Sequence, residues 1–443
     1  MPKLEGFDWF ATTFDADGRL AQPGELDALV AHVGTGVTDV VFLAHGFRND
    51  EADALGLYTG FLNTFRAHLS RAELAALAAR RFAVVGVFWP SKRFSEDSGA
   101  GGGGAAAVGG AAAERARVKA RLETLAAEST KSAHKQALTS AIGLLDRAET
   151  DTKAQDDLVR ALLTLVADVK ADDGDGLDRV RARPGHEVLA RFSAPILLPT
   201  HKKVGDGGVA GVGGGAGGVL SIGGLFHSIA GKVGQFLNVT TWWTMKERSG
   251  VVGAAGLAPA VRRLRAKQPA LKIHLVGHSL GGRLVTACAK ALSAPKPVVA
   301  VDSLSLLEAA FSHYGFAPDN GEGRPGFFRE VITERVVTGP TIATFSAKDT
   351  VVGTVYALAS RLADDNVKAV GDAGDKFGGI GRNGAQRTPE STSAGLHKAG
   401  AAYGAFAAGK VNCLDGSQNL INDHGDVRNE HVTYAVASAI AQT

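Results

Sequence analysis

Residues 271–285 read LKIHLVGHSLGGRLV. Leu271, Ile273, Leu275 and Val276 make an apolar run short enough for a buried strand. Gly277-His278-Ser279-Leu280-Gly281 follows, and from Gly282 to Leu292 the pattern is helical. Strand, G-x-S-x-G, helix is the context in which this pentapeptide marks a sharp turn with a serine at its apex. Such a turn puts Ser279 at φ > 0, with its Oγ raised above the sheet. Gly277 and Gly281 carry no Cβ because strand and helix pass close to the serine there. The Leu280 amide opens the helix, so its N–H points where an oxyanion would form. The context decides the reading, because glycine supplies 57 of 443 residues, about twice its usual share of roughly 7%.

The unbroken apolar runs extend outward from this stretch. Residues 39–46, DVVFLAHG, read as a buried strand ending at His-Gly, and residues 81–90, RFAVVGVFWP, as another. Residues 50–80 between them are helical by composition and spacing. Residues 7–22 suit a strand or hairpin around Asp17-Gly18, and 23–30 a short helix that opens on Pro23. After the serine stretch, strands are expected over 297–307, 338–346 and 410–414, and a closing helix over 431–440. Residues 364–408 are rich in Gly, Ala and Asp and read as a long surface excursion. Strand, helix, strand with continuous apolar runs predicts an α/β fold whose mostly parallel sheet is covered on both faces.

Between the strand at 81–90 and the serine strand the pattern breaks. Residues 98–113 are almost all Gly and Ala, which cannot pack a core. Residues 114–170 are helical, with Leu138, Ile142 and Leu145 on one face and Leu158, Leu162, Leu165 and Val169 on another. Residues 205–218 form a second glycine tract. The expected organisation is a core of 1–91 and 241–443 interrupted by a helical, glycine-rich insertion over 92–240.

Composition narrows the function. A net charge of +3 gives no reason to expect a nucleic-acid partner. The two cysteines, Cys288 and Cys413, make no C-x-x-C and no metal spacing, so core packing is expected rather than a disulfide. The opening MPKLEGFDWFATTFDADG has acids where a secretory signal needs an apolar stretch, and no strongly apolar run of 18 residues occurs. The expectation is a cytoplasmic chain, with signal-less export left open.

A serine hydroxyl is nearly inert at neutral pH and needs a base oriented by a carboxylate. Sheets of this kind supply them in the order Ser, Asp or Glu, His. Asp349 follows the strand at 338–346 by a short loop and is the expected acid. Its alternative role is to cap the next helix beside Thr350. Glu308 and Asp302 flank the preceding strand as rivals, Asp302 at the wrong end. The polar loop NLINDHGDV at 419–427 follows the last strand and holds His424, the expected base, with His431 as alternative. Asp423 and Asp426 sit beside it. A second oxyanion donor is expected from the loop after the first central strand, where His45-Gly46-Phe47 stands. Gly46 lets the backbone come close, and the Phe47 amide is the expected donor.

These motifs resemble an α/β-hydrolase-fold serine hydrolase of the esterase or lipase kind. The matching residues are LAHGF at 43–47, GHSLGG at 277–282, AKD at 347–349 and NDHGD at 422–426. The resemblance covers 36–91 and 241–443 and is silent on 92–240. It implies a triad of Ser279, Asp349 and His424, oxyanion donors at Phe47 and Leu280, support from His45, Gly46, Gly277, His278 and Gly281, and no metal or organic cofactor. It implies hydrolysis of a carboxylic ester, the substrate being a small molecule or a lipid. A phospholipase, thioesterase or acyltransferase on the same triad, or a silent scaffold that binds a partner, are the alternatives.

The insertion then bears on substrate choice. Residues 207–231 carry no charge, and Ile222, Phe226, Ile229, Val233 and Phe236 recur at helical spacing beside Leu225 and Leu237. Such a stripe reads as a packed core helix, as a lid over the active site, or as a segment touching a membrane or lipid surface through 207–237.

Overall fold

The computed structural model describes residues 2–92, 110–170, 174–193, 228–363 and 373–443. It divides into two compact units. The first comprises 1–92, 245–352 and 378–443, the second 93–244 and 353–377. The sequence reading ends the insertion at 240 and keeps 353–377 in the core, whereas the second unit runs to Thr244 and includes 353–377.

In chain order the strands are β1 (Lys3–Leu4), β2 (Phe7–Thr13), β3 (Asp39–Ala44), β4 (Phe82–Phe88), β5 (Lys272–His278), β6 (Ser303–Leu307), β7 (Thr341–Phe345), β8 (Ser391–Gly395) and β9 (Val411–Asp415). The helices of the first half are α1 (Pro23–Val33), α2 (Glu51–His68), α3 (Gly110–Glu128), α4 (Ser132–Leu144), α5 (Thr152–Leu163), α6 (Leu177–Arg181) and α7 (Gly185–Ala190). Those of the second half are α8 (Ile229–Val251), α9 (Ala258–Lys267), α10 (Leu280–Leu292), α11 (Arg329–Thr333), α12 (Thr350–Ala363), α13 (Ile380–Asn383) and α14 (Glu430–Ala441).

The first unit is α/β. Its sheet has the order β1-β2-β4-β3-β5-β6-β7-β9-β8, and only the β1–β2 pair is antiparallel. β3, β4 and β6 are buried along their whole length; in β3 and β4 this burial reads as a continuous apolar run, whereas β6 buries Ser303 and Ser305 among its leucines. Alternate residues serve opposite faces. Val41 and Leu43 of β3, Val276 of β5 and Ile342 of β7 share a core with Tyr58, Phe61 and Phe65 of α2 and Tyr434, Val436 and Ile440 of α14. Asp50 caps α2 through the Asp53 amide, and Asp53 answers at the Asp50 amide. α2 ends at His68, and a short 3-10 turn over Ala72–Leu77 completes the segment that composition joins into one helix.

β3 lies between β4 and β5. The chain therefore leaves β3 toward one edge and later returns to its other side. The loops after β3 and β5 meet at this reversal, outside the carboxyl ends of the strands, where open parallel sheets form a crevice.

Two sequence expectations are corrected here. Residues 364–408 are not simply an excursion: 380–383 form α13, and 391–395 form β8, the edge strand paired in parallel with β9. β8 is STSAG and largely exposed, so it shows no apolar alternation to read. The strand expected over 297–307 begins only at Ser303. Asp302 stands just before it, bound to Arg265 and to the Ile273 amide at the amino end of the sheet.

The second unit is helical among its described residues. Leu122 and Leu125 of α3, Leu138 and Ala141 of α4, and Leu158 and Leu162 of α5 are buried. Within it, the Phe236 ring meets Phe192 at 6.4 Å and Trp243 at 6.3 Å, both edge-on. Trp243 Nε1 donates to the Asp175 carbonyl at 2.9 Å. Val233, Phe236 and Leu237 are fully buried. In the described part of the apolar stripe these three residues are core, and Ile229 is half-buried. Ile222, Leu225, Phe226 and residues 207–227 lie outside the described residues. No described helix is long and apolar enough to cross a membrane.

Candidate active site

Ser279 sits between β5 and α10 at φ 56, ψ −124, in the left-handed half of backbone space that non-glycine residues rarely adopt. Backbone bonds hold it there. Its amide donates to the Leu307 carbonyl at 3.1 Å, and its carbonyl accepts from Ala310 at 2.9 Å and Gly282 at 3.0 Å. The glycines are required by close approach. A Cβ on Gly277 would lie 2.3 Å from the Gly281 carbonyl oxygen, and one on Gly281 would lie 2.2 Å from that of Ala44.

The loop after β3 is fixed with equal care. The His45 ring stacks on Trp89 at 5.6 Å. Its Nδ1 faces the Gly46 carbonyl at 3.0 Å, and its Nε2 accepts the Trp89 amide at 3.4 Å. Those partners assign the proton to Nδ1. Burial pushes His45 down to about 4, so it stays neutral. Asn49 Nδ2 adds a second donor to the Gly46 carbonyl at 3.1 Å. With that carbonyl held from two sides and the peptide planar, the Phe47 N–H must point the opposite way. Among the described residues neither the Phe47 nor the Leu280 amide finds an acceptor.

Asp349 and His424 come together: His424 Nδ1 meets Asp349 Oδ2 at 2.8 Å. Asp349 is fully buried, and its Oδ1 accepts the Val352 amide at 2.9 Å. It therefore caps α12 and holds the imidazole at once. The alternatives for the base and acid are otherwise engaged. His431 Nδ1 accepts the Ala399 amide at 3.1 Å, and Asp302 is tied to Arg265. Asp423 binds the Gly425 amide and Asp426 the Asn422 amide, so both shape the His424 loop.

The link between the two halves is His278. Its Nε2 donates to the His424 carbonyl at 2.8 Å, and the two rings lie 4.7 Å apart. Burial, reinforced by His424, pushes His278 down to about 3, so it serves as a neutral strut. Its Nδ1 is buried without a partner. Among the described residues Ser279 Oγ makes no hydrogen bond to His424. The motif allows any residue at position 278, so nothing in the pentapeptide itself announces this role.

Glu308 is the residue whose importance the sequence understated. It follows β6 at φ 44, fully buried, with neither carboxylate oxygen partnered. Burial first, then Asp349, Asp426 and Asp423, push its carboxyl well above the usual range. Glu308, Asp349 and His424 each offer one donor atom within 4.8 Å of the others. Two oxygens and a nitrogen are a donor set that suits a divalent cation such as zinc, but Asp349 Oδ2 is already committed to His424.

The chain matches no family model, no curated protein and no solved structure.

Proposed function

We propose that this chain is a serine hydrolase of the α/β-hydrolase fold that cleaves carboxylic esters through an acyl-enzyme. One observation carries the reading: a serine at φ 56 in a strand–helix turn, at the reversal of a parallel sheet, accompanied by an imidazole bonded to a buried carboxylate at 2.8 Å. Ser279 Oγ attacks the acyl carbon while His424 takes its proton, and Asp349 stabilises the imidazolium. The carbonyl oxygen becomes an oxyanion between the Phe47 and Leu280 amides, both without acceptors and so in place before charge develops. Collapse breaks the ester C–O bond, and His424 returns the proton to the leaving alkoxide. Water then repeats the sequence on the acyl-enzyme, releasing the acid and restoring Ser279.

The substrate is a small-molecule or lipid ester, and neither metal nor organic cofactor takes part. Hydrolysis of p-nitrophenyl esters of graded chain length, lost in Ser279→Ala, tests the reading. Acyl transfer to added alcohol in preference to water would replace it with an acyltransferase. Partner binding by an inert protein would replace it with a scaffold. A lid or lipid-surface role for 207–237 remains a proposal for the part before Ile229. Its signature is faster turnover of long-chain esters on vesicles than in free solution.

A further inference from the structure

Glu308 is the buried group that this mechanism leaves unused. Its side chain is directed by the end of a strand rather than by a loose loop. The Glu308 amide donates to the Thr344 carbonyl at 3.2 Å, and Gly381 packs so tightly that a Cβ there would lie 2.4 Å from the Glu308 carbonyl carbon. The carboxyl so directed comes within 4.8 Å of donor atoms of both Asp349 and His424, yet bonds to nothing.

The charges that face it are mostly negative. Asp349 stands on the loop after β7, and Asp423 and Asp426 on the loop after β9. The titratable base in the cluster is His424. Arg382, next to Gly381, directs its guanidinium to the Ala347 and Asp349 carbonyls at 2.6 and 3.0 Å. Lys348 reaches Asn419 and Asn422. Two carboxylates at this range cannot both ionise cheaply, and the proton falls to the one without partners. Asp349 has a backbone amide and an imidazole to hold its charge. Glu308 has neither.

We propose that Glu308 is a positioning residue held as a neutral carboxylic acid, so that His424 faces one negative charge rather than two, and that its ionisation at alkaline pH slows the reaction. The inference rests on His424 being the base. A second anion beside the imidazolium would hold the proton there when it has to return to the leaving group. Neutrality of Glu308 keeps that return fast. Burial and the three acids, which raise its carboxyl far above the ordinary range, agree with this state.

The test uses the full-length chain. Infrared spectra of Ser279→Ala and of Ser279→Ala/Glu308→Gln, both without turnover, are compared at neutral pH. A protonated carboxylic C=O band should be present in the first and missing from the second. In the active background Glu308→Gln keeps size and neutrality. It should hold kcat/KM within about threefold at neutral pH, leave the acidic limb of the profile in place, and abolish the alkaline fall in kcat. Glu308→Met, also neutral, serves if the glutamine variant does not fold. With His424→Ala inactive, an absent band, or an acidic limb moved down by about one pH unit or more, overturns the inference alone. A fully active His424→Ala overturns the reading on which it rests.

Discussion

Gly46→Ala adds one methyl group directly against Ser279, the proposed nucleophile. A Cβ at Gly46 would lie 2.8 Å from Ser279 Cβ, 3.3 Å from its Oγ and 3.4 Å from His278 Nδ1. Ordinary contact begins at 3.4 Å, so the loop and the serine must part by about 0.6 Å or more. Ser279 has no room to retreat, because its amide and carbonyl are held by Leu307, Gly282 and Ala310. The shift therefore falls on the Gly46–Phe47 peptide, whose N–H is the proposed oxyanion donor. Misplacing a reacting group by about 1 Å costs on the order of 10²-fold, and losing one such donor costs on the order of 10²–10³-fold. kcat should fall by about 10²-fold with KM little changed. Overpacking costs about 1–3 kcal/mol, so the melting temperature drops while the protein stays folded. Initial rates on a short p-nitrophenyl ester, read beside thermal unfolding, measure both. A folded Gly46→Ala with unaltered kcat would refute the placement of this loop in the chemistry.

Asp349→Asn removes the acceptor that sets the His424 tautomer, and kcat should fall by up to about 10⁴-fold. A loss under about tenfold in steady-state assays would show that another group orients the ring. His45 and His278 set an acid-stability slope. Their folded values of about 4 and about 3 lie below the ordinary 6.5, because burial disfavours the charged form. Below pH 6.5 the unfolded chain gains protons that the folded chain cannot. Their contribution is therefore complete above 6.5 and is lost as pH falls toward 4 and 3. Each adds a slope of about 1.4 kcal/mol per pH unit. Urea titrations of His45→Asn should show a slope smaller by that amount, and an unchanged slope would mean that His45 titrates freely. Phe236→Ala empties a ring site between Phe192 and Trp243 and should cost about 3–5 kcal/mol. A stable Phe236→Ala that loses activity only on long-chain esters would instead make this face a substrate contact.

What the sequence discloses follows from how local each feature is. The Ser279 turn is specified by contiguous residues, since an apolar run, two close-packed glycines and a helix leave one backbone solution. Asp349 and His424 are legible by their order after β7 and β9, and they do meet. Glu308 is named by sequence only as a flanking acid. Its buried, unpartnered state depends on Asp349, Gly381 and the loop after β9 converging from distant parts of the chain. The His278–His424 strut is likewise a tertiary contact at a position the motif leaves free. β8 escapes for a different reason: Ser391–Gly395 pairs through its backbone at an exposed edge, so its side chains carry no strand pattern. α8 runs unbroken from Ile229 to Val251, well past the end of the apolar stripe at Leu237. Burial of Lys246 and Ser249 hides that continuity from a pattern-based reading.

The most direct measurement is covalent labelling by a fluorophosphonate, mapped by peptide mass spectrometry. The account predicts one label per chain, on Ser279, formed rapidly in the native protein, slowed by several orders of magnitude in His424→Ala, and absent from a folded Ser279→Ala. Labelling of a different residue, or equal labelling of native protein and His424→Ala, would contradict it.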